Sequence, residues 1–243
     1  GGTKGSAGEI GSDYNAGAGF YGSMSDDSGA KAFTDTNTPG RGGKYSSYEG
    51  GFGGGGRHGQ SHGGGGGGYS GGAGSDYTPY QGGGGGSYNN GFNQAAYVGQ
   101  DGWNNQGKVE ITFIEENLYF YNFTSPQTFG NYGKVGNTGP TLSMATGGSG
   151  LVGANDWKNN FTIFNVINGI QYWTVPRSGN YTIKAYGADA EGMLGGRGAI
   201  ITGTFTLTVG EIIRILVGQR PYPYNTGNGG GGGGTFVVRA PYN

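Results

Sequence analysis

Hydrophobic and polar residues alternate along several short stretches in the second half of the chain. In residues 108–114 the apolar side chains of Val109, Ile111 and Phe113 occupy every second position, a period that predicts a strand with one buried face. Turn residues separate further segments of this kind, and the predicted strands are 117–124, 171–175, 181–186, 199–209, 211–217 and 235–239. Many short strands with turns between them indicate an all-β fold of the sandwich type.

Two of these segments carry more detailed expectations. Residues 177–180 have the composition of a turn after Pro176, so 181–186 is predicted to be the return strand for 171–175. Residues 211–217 are almost entirely β-branched residues and leucine, which is typical of a strand buried on both faces. A short helix is expected around 154–158.

The distribution of glycine divides the chain. Of 243 residues 62 are glycine, and 37 of those lie in residues 1–107. Unbroken glycine runs occur at 53–56, 63–68, 82–86 and 229–234, with tyrosine and phenylalanine close by. We therefore predict three segments: a glycine-rich segment at residues 1–107, strands at residues 108–129 that join one unit to the next, and a β-sandwich at residues 130–243 that carries the last run.

The glycine runs have two interpretations. The first is a flexible linker, although such linkers alternate glycine with small polar residues and avoid aromatic ones. The second is a set of polyglycine II helices. Each such helix has three residues per turn and no internal hydrogen bonds, so several must pack side by side and bond to each other. Ordering glycine costs about 1–2 kcal/mol per residue, and we expect buried aromatic side chains such as Phe52 and Tyr69 to offset that cost.

Composition narrows the classes of function. Charged residues are 12% of the chain and the net charge is −1, which excludes a strong electrostatic grip on nucleic acid. There is no cysteine, hence no disulfide and no thiolate metal site. Apolar stretches fall short of the ~18 residues of a membrane span. We expect no nucleic-acid partner, no membrane span, no metal and no cofactor.

Several ordered motifs carry a family resemblance: Tyr172-Trp-Thr-Val-Pro176, Ser178-Gly-Asn-Tyr-Thr-Ile183, Ala185-Tyr-Gly-Ala188, Gly195-Gly-Arg-Gly198 and Ile215-Leu-Val-Gly-Gln219. Together with 229–238 they resemble the glycine-rich ectodomain of the anaplastic lymphoma kinase and leukocyte tyrosine kinase receptors. Residues 50–56, 63–69 and 107–111 match the later region of that ectodomain. The resemblance implies a TNF-like β-sandwich joined to a hexagonal bundle of polyglycine II helices, and an extracellular location.

The order of the matching regions is rotated relative to the family. Here residues 1–111 match the later region and 121–238 the earlier region, and the apolar strand expected between them is missing or very short. One explanation is a repeat or subunit whose domain is completed by its neighbour, since head-to-tail contacts that do not close build filaments. The alternatives are an intramolecular circular permutation or a cut loop, because chain termini lie close together in many domains.

Other candidate sites are weaker. Three N-x-T sequons, at Asn122, Asn160 and Asn180, are candidate acceptors of N-linked glycans, and Asn180 is expected to be the most exposed because it follows a turn. His58 and His62 are four residues apart, a spacing that suits metal binding only on a helix. Their segment is glycine-rich, so we expect a solvated loop instead. Neither a nucleophile elbow nor a dinucleotide motif in a strand–helix setting is present, so an enzyme is not expected.

The sequence therefore predicts an extracellular structural protein that assembles head to tail with copies of itself. The junction is expected to involve six apolar residues: Val109, Ile111, Phe113, Leu118, Phe120 and Phe123. The alternative function is a ligand-binding or adhesin ectodomain module that acts as a monomer. A monomer would favour binding, whereas regular filaments would favour the structural role.

Overall fold

The computed structural model describes residues 4–8, 15–59, 62–75, 82–97, 99, 105–114, 126–147, 156–191, 195–222 and 229–241. The described chain is almost entirely strand and irregular backbone. Its elements in order are β1 Lys44–Tyr45, β2 Tyr48–Glu49, β3 Phe92–Tyr97, β4 Lys108–Phe113, β5 Gln127–Phe129, α1 Leu142–Gly147, a 3-10 turn Asp156–Asn159, β6 Phe164–Ile167, β7 Ile170–Thr174, β8 Gly179–Tyr186, β9 Ile200–Leu207, β10 Ile212–Leu216 and β11 Phe236–Arg239. The all-β prediction is confirmed at this level.

Two antiparallel sheets contain most of the strands. The larger sheet has the order β3-β9-β8-β4-β5, and the smaller has the order β11-β10-β7-β6. β1 and β2 form a separate hairpin. The larger sheet draws β3 from residues 1–107, β4 from residues 108–129 and β8 and β9 from the rest of the chain, so its strands come from all three predicted segments.

The inner faces of the two sheets share one hydrophobic core. Val109, Ile111 and Tyr181 contribute from the larger sheet, and Trp173 and Ile213 from the smaller sheet. All five residues are at most 1% exposed. Burial of these side chains is the main favourable term that holds the sheets together.

The outer face of the smaller sheet is buried as well. Ile170, Leu216 and Phe236 pack there against Phe33 and Phe52 from the glycine-rich half of the chain. β10 therefore contributes Ile213 and Ile215 to one core and Leu216 to the other, so its second half is buried on both faces, as its composition predicts. Its first residue, Ile212, is exposed.

The predicted hairpin between 171–175 and 181–186 is wrong. β7 pairs with β6 and β10, whereas β8 pairs with β4 and β9 in the other sheet. The connection crosses from one sheet to the other, and the Tyr181 hydroxyl donates a hydrogen bond to the Arg177 carbonyl at 2.8 Å. This bond fixes the corner, and the Trp173 and Tyr181 rings meet in the core with centroids 5.9 Å apart.

The remaining predicted elements have mixed outcomes. The strands at 108–114, 199–209 and 235–239 are present as β4, β9 and β11, and the expected short helix is the 3-10 turn Asp156–Asn159. The predicted strand 117–124 lies outside the described residues. Within the described ranges no helix is long and apolar enough to cross a membrane.

Candidate functional site: a glycine layer and its groove

Glycine-rich segments from both ends of the chain lie side by side and exchange backbone hydrogen bonds. We call residues 15–19, 50–56, 63–68, 71–74, 82–86 and 229–234 the glycine layer. Gly56 N donates to Gly65 O at 2.7 Å, and Gly231 N donates to Gly56 O at 2.9 Å. Gly66 N in turn donates to Gly83 O at 2.8 Å. These bonds pair polar groups that burial would otherwise leave unsatisfied.

Side chains have no room inside the glycine layer. A Cβ on Gly65 would lie 2.1 Å from Gly72 O, and a Cβ on Gly231 would lie 2.0 Å from Gly65 O. Real Cβ atoms never approach a backbone oxygen this closely, so these positions require glycine. Gly84 differs from them, because no atom of the described residues, its chain neighbours aside, lies within 4 Å of the place its Cβ would take.

The side chain of a buried asparagine forms hydrogen bonds with two neighbouring segments of the chain. Asn15 is fully buried, and its side-chain amide donates to Gly63 O at 3.3 Å and to Ser75 O at 2.8 Å. Sequence reasoning missed this residue, since an isolated asparagine among small residues gives no periodic signal.

A groove of about 850 Å³ opens beside the glycine layer. One wall is formed by β9 and the other by β11, and residues 82–86 lie along the floor. Apolar side chains that line it include Ile183, Leu207, Ile213 and Val237. Tyr88 stands at the rim, 62% exposed, with its ring stacked on Tyr69 at 4.8 Å. The groove has the size of a ligand-binding site, and polar and apolar groups contribute about equally to its lining.

Side chains at both ends of β11 donate hydrogen bonds to the larger sheet. The Arg239 guanidinium donates to the Thr206 carbonyl at one end. At the other end Thr235 Oγ1 donates to the Tyr186 carbonyl at 2.6 Å. Among the described residues β11 pairs with β10 alone and lies at the edge of the smaller sheet.

The charged side chains on the described lining of the groove are both arginines, Arg197 and Arg239. Glu211 Oε1 lies 3.3 Å from Arg239 Nε, behind the groove, and forms an ion pair with it. No carboxylate is among the described lining residues, but Glu211 compensates the charge of Arg239.

The residues predicted to form an assembly junction divide into two sets. Val109 and Ile111 are fully buried and Phe113 is 7% exposed, all within the chain's own larger sheet. β4 pairs on one side with β8 and on the other with β5, so both of its edges are occupied. Leu118, Phe120 and Phe123 lie outside the described residues.

The sequons differ in exposure. Asn160 is exposed just after the 3-10 turn, and its Oδ1 accepts hydrogen bonds from the backbone and hydroxyl of Thr162. Asn180 is half-buried within β8, where its Oδ1 accepts from Thr206 Oγ1 at 2.8 Å. Asn160 is therefore more exposed than Asn180, contrary to the expectation, because Asn180 belongs to the strand rather than to the turn before it. Asn122 lies outside the described residues.

The titratable groups do not form a catalytic constellation within the described ranges of the chain. His58 and His62 are buried rather than solvated, and burial lowers the pKa of His58. Among these residues no group of three or more His, Asp or Glu is placed to hold a metal ion.

Lys158 is the most strongly perturbed cation of the described chain. It is 4% exposed, and its Nζ donates to the Thr128 carbonyl at 3.4 Å. Aromatic rings surround it, with the centroids of Phe129 and Trp157 each 5.5 Å away. Burial lowers the pKa of Lys158 to about 8.

Comparison with known proteins gives one partial similarity of note. The chain is 34% identical to the leukocyte tyrosine kinase receptor of Mus musculus over 111 residues, which is 39% of this chain. The chain spans only 11% of that receptor. No family model matches the chain, and no solved structure matches it. The similarity is consistent with a distant relationship to a fragment of a receptor ectodomain and gives no evidence of catalytic activity.

Proposed function

We propose that the protein is a non-enzymatic, extracellular binding module that folds as a closed monomer. The observation that carries the proposal is the position of β4. This strand, from the first half of the chain, lies between β8 and β5 of the second half, so the two halves can complete the larger sheet within one chain. A groove of about 850 Å³, lined by polar and apolar groups alike, lies beside the glycine layer.

The finer architecture is a TNF-like β-sandwich joined to packed polyglycine II helices. Two features support this proposal: the core shared by two antiparallel sheets, and glycine runs that bond side to side with no space for Cβ atoms. The partial similarity to a receptor ectodomain supports an extracellular location. In that setting Asn160 is the better placed of the two described glycan acceptors, because Asn180 is half-buried.

A cysteine pair tests closure within one chain, because the natural sequence has no cysteine. Thr112 and Thr182 lie directly opposite each other in β4 and β8. Opposed residues of an antiparallel pair have Cα atoms roughly 4.5–5.5 Å apart, which suits a disulfide. The oxidised double variant T112C/T182C should run as a monomer on a denaturing, non-reducing gel. A ladder of multimers would overturn the proposal.

Binding itself is tested with the oxidised monomer. The labelled protein should bind to the surface of intact cells in a saturable manner, and excess unlabelled protein should compete with it. The matched control is the heat-denatured protein at the same concentration. Binding that does not saturate, or that the denatured chain reproduces, would contradict a binding function.

The second candidate is the head-to-tail filament of an extracellular structural protein. One observation favours it: the chain leaves β4 at residue 113 and reaches β8 and β9, the partners of β4 and β3, only at residue 179. Exchange through this connection would let β3 and β4 of one copy pair with β8 and β9 of the next, and contacts of this kind do not close. Regular filaments in electron micrographs, together with the multimer ladder, are the result this function requires.

A further inference from the structure

A series of aromatic rings in mutual contact lines part of the groove. The ring centroids of Phe20 and Tyr21 lie 4.7 Å apart, and those of Phe20 and Tyr69 lie 6.2 Å apart. Tyr88 stacks on Tyr69, and 62% of it is nevertheless exposed. Tyr69 covers one face of the Tyr88 ring, so the opposite face is open to a ligand. Tyr21, at the other end of the series, is 54% exposed.

Polar groups that are free to bond lie next to Tyr88. Ser87 and Asn90 are exposed and line the groove. Neither side chain forms a hydrogen bond with another residue of the described chain. The backbone N–H of Gly84 likewise donates to no carbonyl within the described ranges. A ligand beside Tyr88 would therefore meet one hydroxyl, one amide and one backbone N–H.

The charges on the lining of the groove are already engaged. Arg239 pairs with Glu211 at 3.3 Å and donates to the Thr206 carbonyl. Arg197, the other charged residue of the described lining, takes part in a contact of its own. The described lining thus offers no free ionic group, and polar and apolar groups contribute to it about equally. These properties favour a neutral ligand that is itself both polar and apolar.

A sugar has this combination of surfaces. A pyranose ring presents C–H groups on its faces and hydroxyls around its edge. The C–H groups pack on the electron-rich face of an aromatic ring, and the hydroxyls exchange hydrogen bonds with polar side chains. We infer that the groove binds a neutral oligosaccharide, with one pyranose ring stacked on Tyr88 and its hydroxyls bonded to Ser87 and Asn90. A volume of about 850 Å³ is in the range of small-ligand sites.

A proline-rich peptide is another ligand that stacks on aromatic side chains. Proline has no backbone N–H, so such a peptide offers mainly carbonyl acceptors. Ser87 and Asn90 each carry a donor and an acceptor, and sugar hydroxyls match both. The free polar groups therefore favour the sugar over the peptide.

The inference rests on the proposed binding function and names its ligand class. The probes are neutral trisaccharides of glucose, galactose, mannose and N-acetylglucosamine, their sulfated counterparts, and a proline-rich decapeptide. The protein should bind at least one neutral trisaccharide in a saturable manner, with the same affinity at low and high salt because no ion pair forms. Failure to bind any neutral trisaccharide would overturn the inference. Tighter, salt-sensitive binding of the sulfated forms, or binding of the peptide alone, would overturn it as well.

Protein variants locate the site with the trisaccharide that binds. Tyr88→Ala removes the stacking face and should weaken binding at least about tenfold, whereas Tyr88→Phe keeps the ring and should bind within about threefold of the native protein. Asn90→Ala removes one polar partner and should weaken binding about fivefold. The matched control is Tyr97→Ala, at a side chain that is 61% exposed and outside the described lining, and it should bind normally. Thermal melts establish that the variants fold, and unchanged binding to folded Tyr88→Ala or Asn90→Ala would contradict the site.

Cell binding separates the inference from the function beneath it. Treatment of the cells with glycosidases that remove neutral glycans should abolish binding of the labelled monomer, and Tyr88→Ala should bind untreated cells poorly. Saturable cell binding that survives either change would overturn the sugar ligand and leave a binding module intact. A multimer ladder from the T112C/T182C variant, or cell binding that does not saturate, would instead overturn the proposed function, whatever the trisaccharides do.

Discussion

Ile111 in β4 and Ile183 in β8 lie directly opposite each other in the larger sheet. Ile111 is completely buried and Ile183 is 6% exposed. Both belong to the core shared with the smaller sheet. This contact joins the two halves of the chain within one molecule, so the strength of the β4–β8 pairing decides whether the unit stays closed.

Truncation of Ile111 should therefore weaken the whole fold. We expect Ile111→Ala to lower the free energy of unfolding by about 2–5 kcal/mol, because it removes a buried side chain and leaves a cavity. The matched control is Thr112→Ala, whose side chain points to the half-buried outer face of the same strand. Urea denaturation measures both. Equal, small losses would show that β4 does not contribute to the core.

Glycine positions in the layer should differ sharply in their tolerance of a side chain. A Cβ on Gly65 would meet the backbone of Gly72, so Gly65→Ala should destabilise the protein by about 1–3 kcal/mol or more. Gly84→Ala meets no atom and should be neutral, or stabilising by about 0.4–1 kcal/mol through the unfolded state. Calorimetric melting temperatures distinguish them. Similar effects at both positions would contradict a closely packed glycine layer.

Sequence patterns predicted those strands whose alternation is strong, such as β4 and β9. They failed for the connection between β7 and β8, because a short polar turn looks the same whether it joins neighbours in one sheet or crosses to another. The groove was not predicted, since its walls β9 and β11 and its floor at residues 82–86 are distant in sequence. The glycine runs did indicate close backbone packing, but Gly84 shows that a run alone does not reveal which positions are open.

Aromatic side chains should contribute strongly to the stability of the glycine layer. Phe52 is 2% exposed, and its ring packs so closely that Cβ atoms added to Gly139 and Gly169 would lie only 2.6 and 2.7 Å from it. Loss of a buried phenylalanine typically costs about 3–5 kcal/mol, so Phe52→Ser should markedly lower the melting temperature. Tyr69→Ser should cost less, because Tyr69 is only half-buried. The control Tyr222→Ser removes a ring that is 58% exposed. Unchanged stability of Phe52→Ser would contradict a stabilising role for buried aromatic side chains.

The buried amine of Lys158 should make stability depend on pH in the alkaline range. Its pKa is about 8 in the folded protein, against 10.5 for an ordinary lysine. Between these values the unfolded chain binds a proton that the folded chain has released, so the free energy of unfolding should rise with pH. Above about pH 10 the trend should reverse, since burial raises the pKa of Tyr132 and only the unfolded chain then loses that proton.

Replacement of Lys158 isolates its contribution to this profile. Lys158→Met removes the charge that the folded protein must hold among aromatic rings, so it should stabilise the protein at pH 7 by up to about 3 kcal/mol. It should also abolish the rise above pH 8 and leave the fall attributed to Tyr132. Lys44→Met, at a side chain that is 50% exposed, is the control and should retain the rise. Urea unfolding at several pH values measures each profile, and a wild-type stability that stays flat from pH 7 to 10 would contradict this account of Lys158.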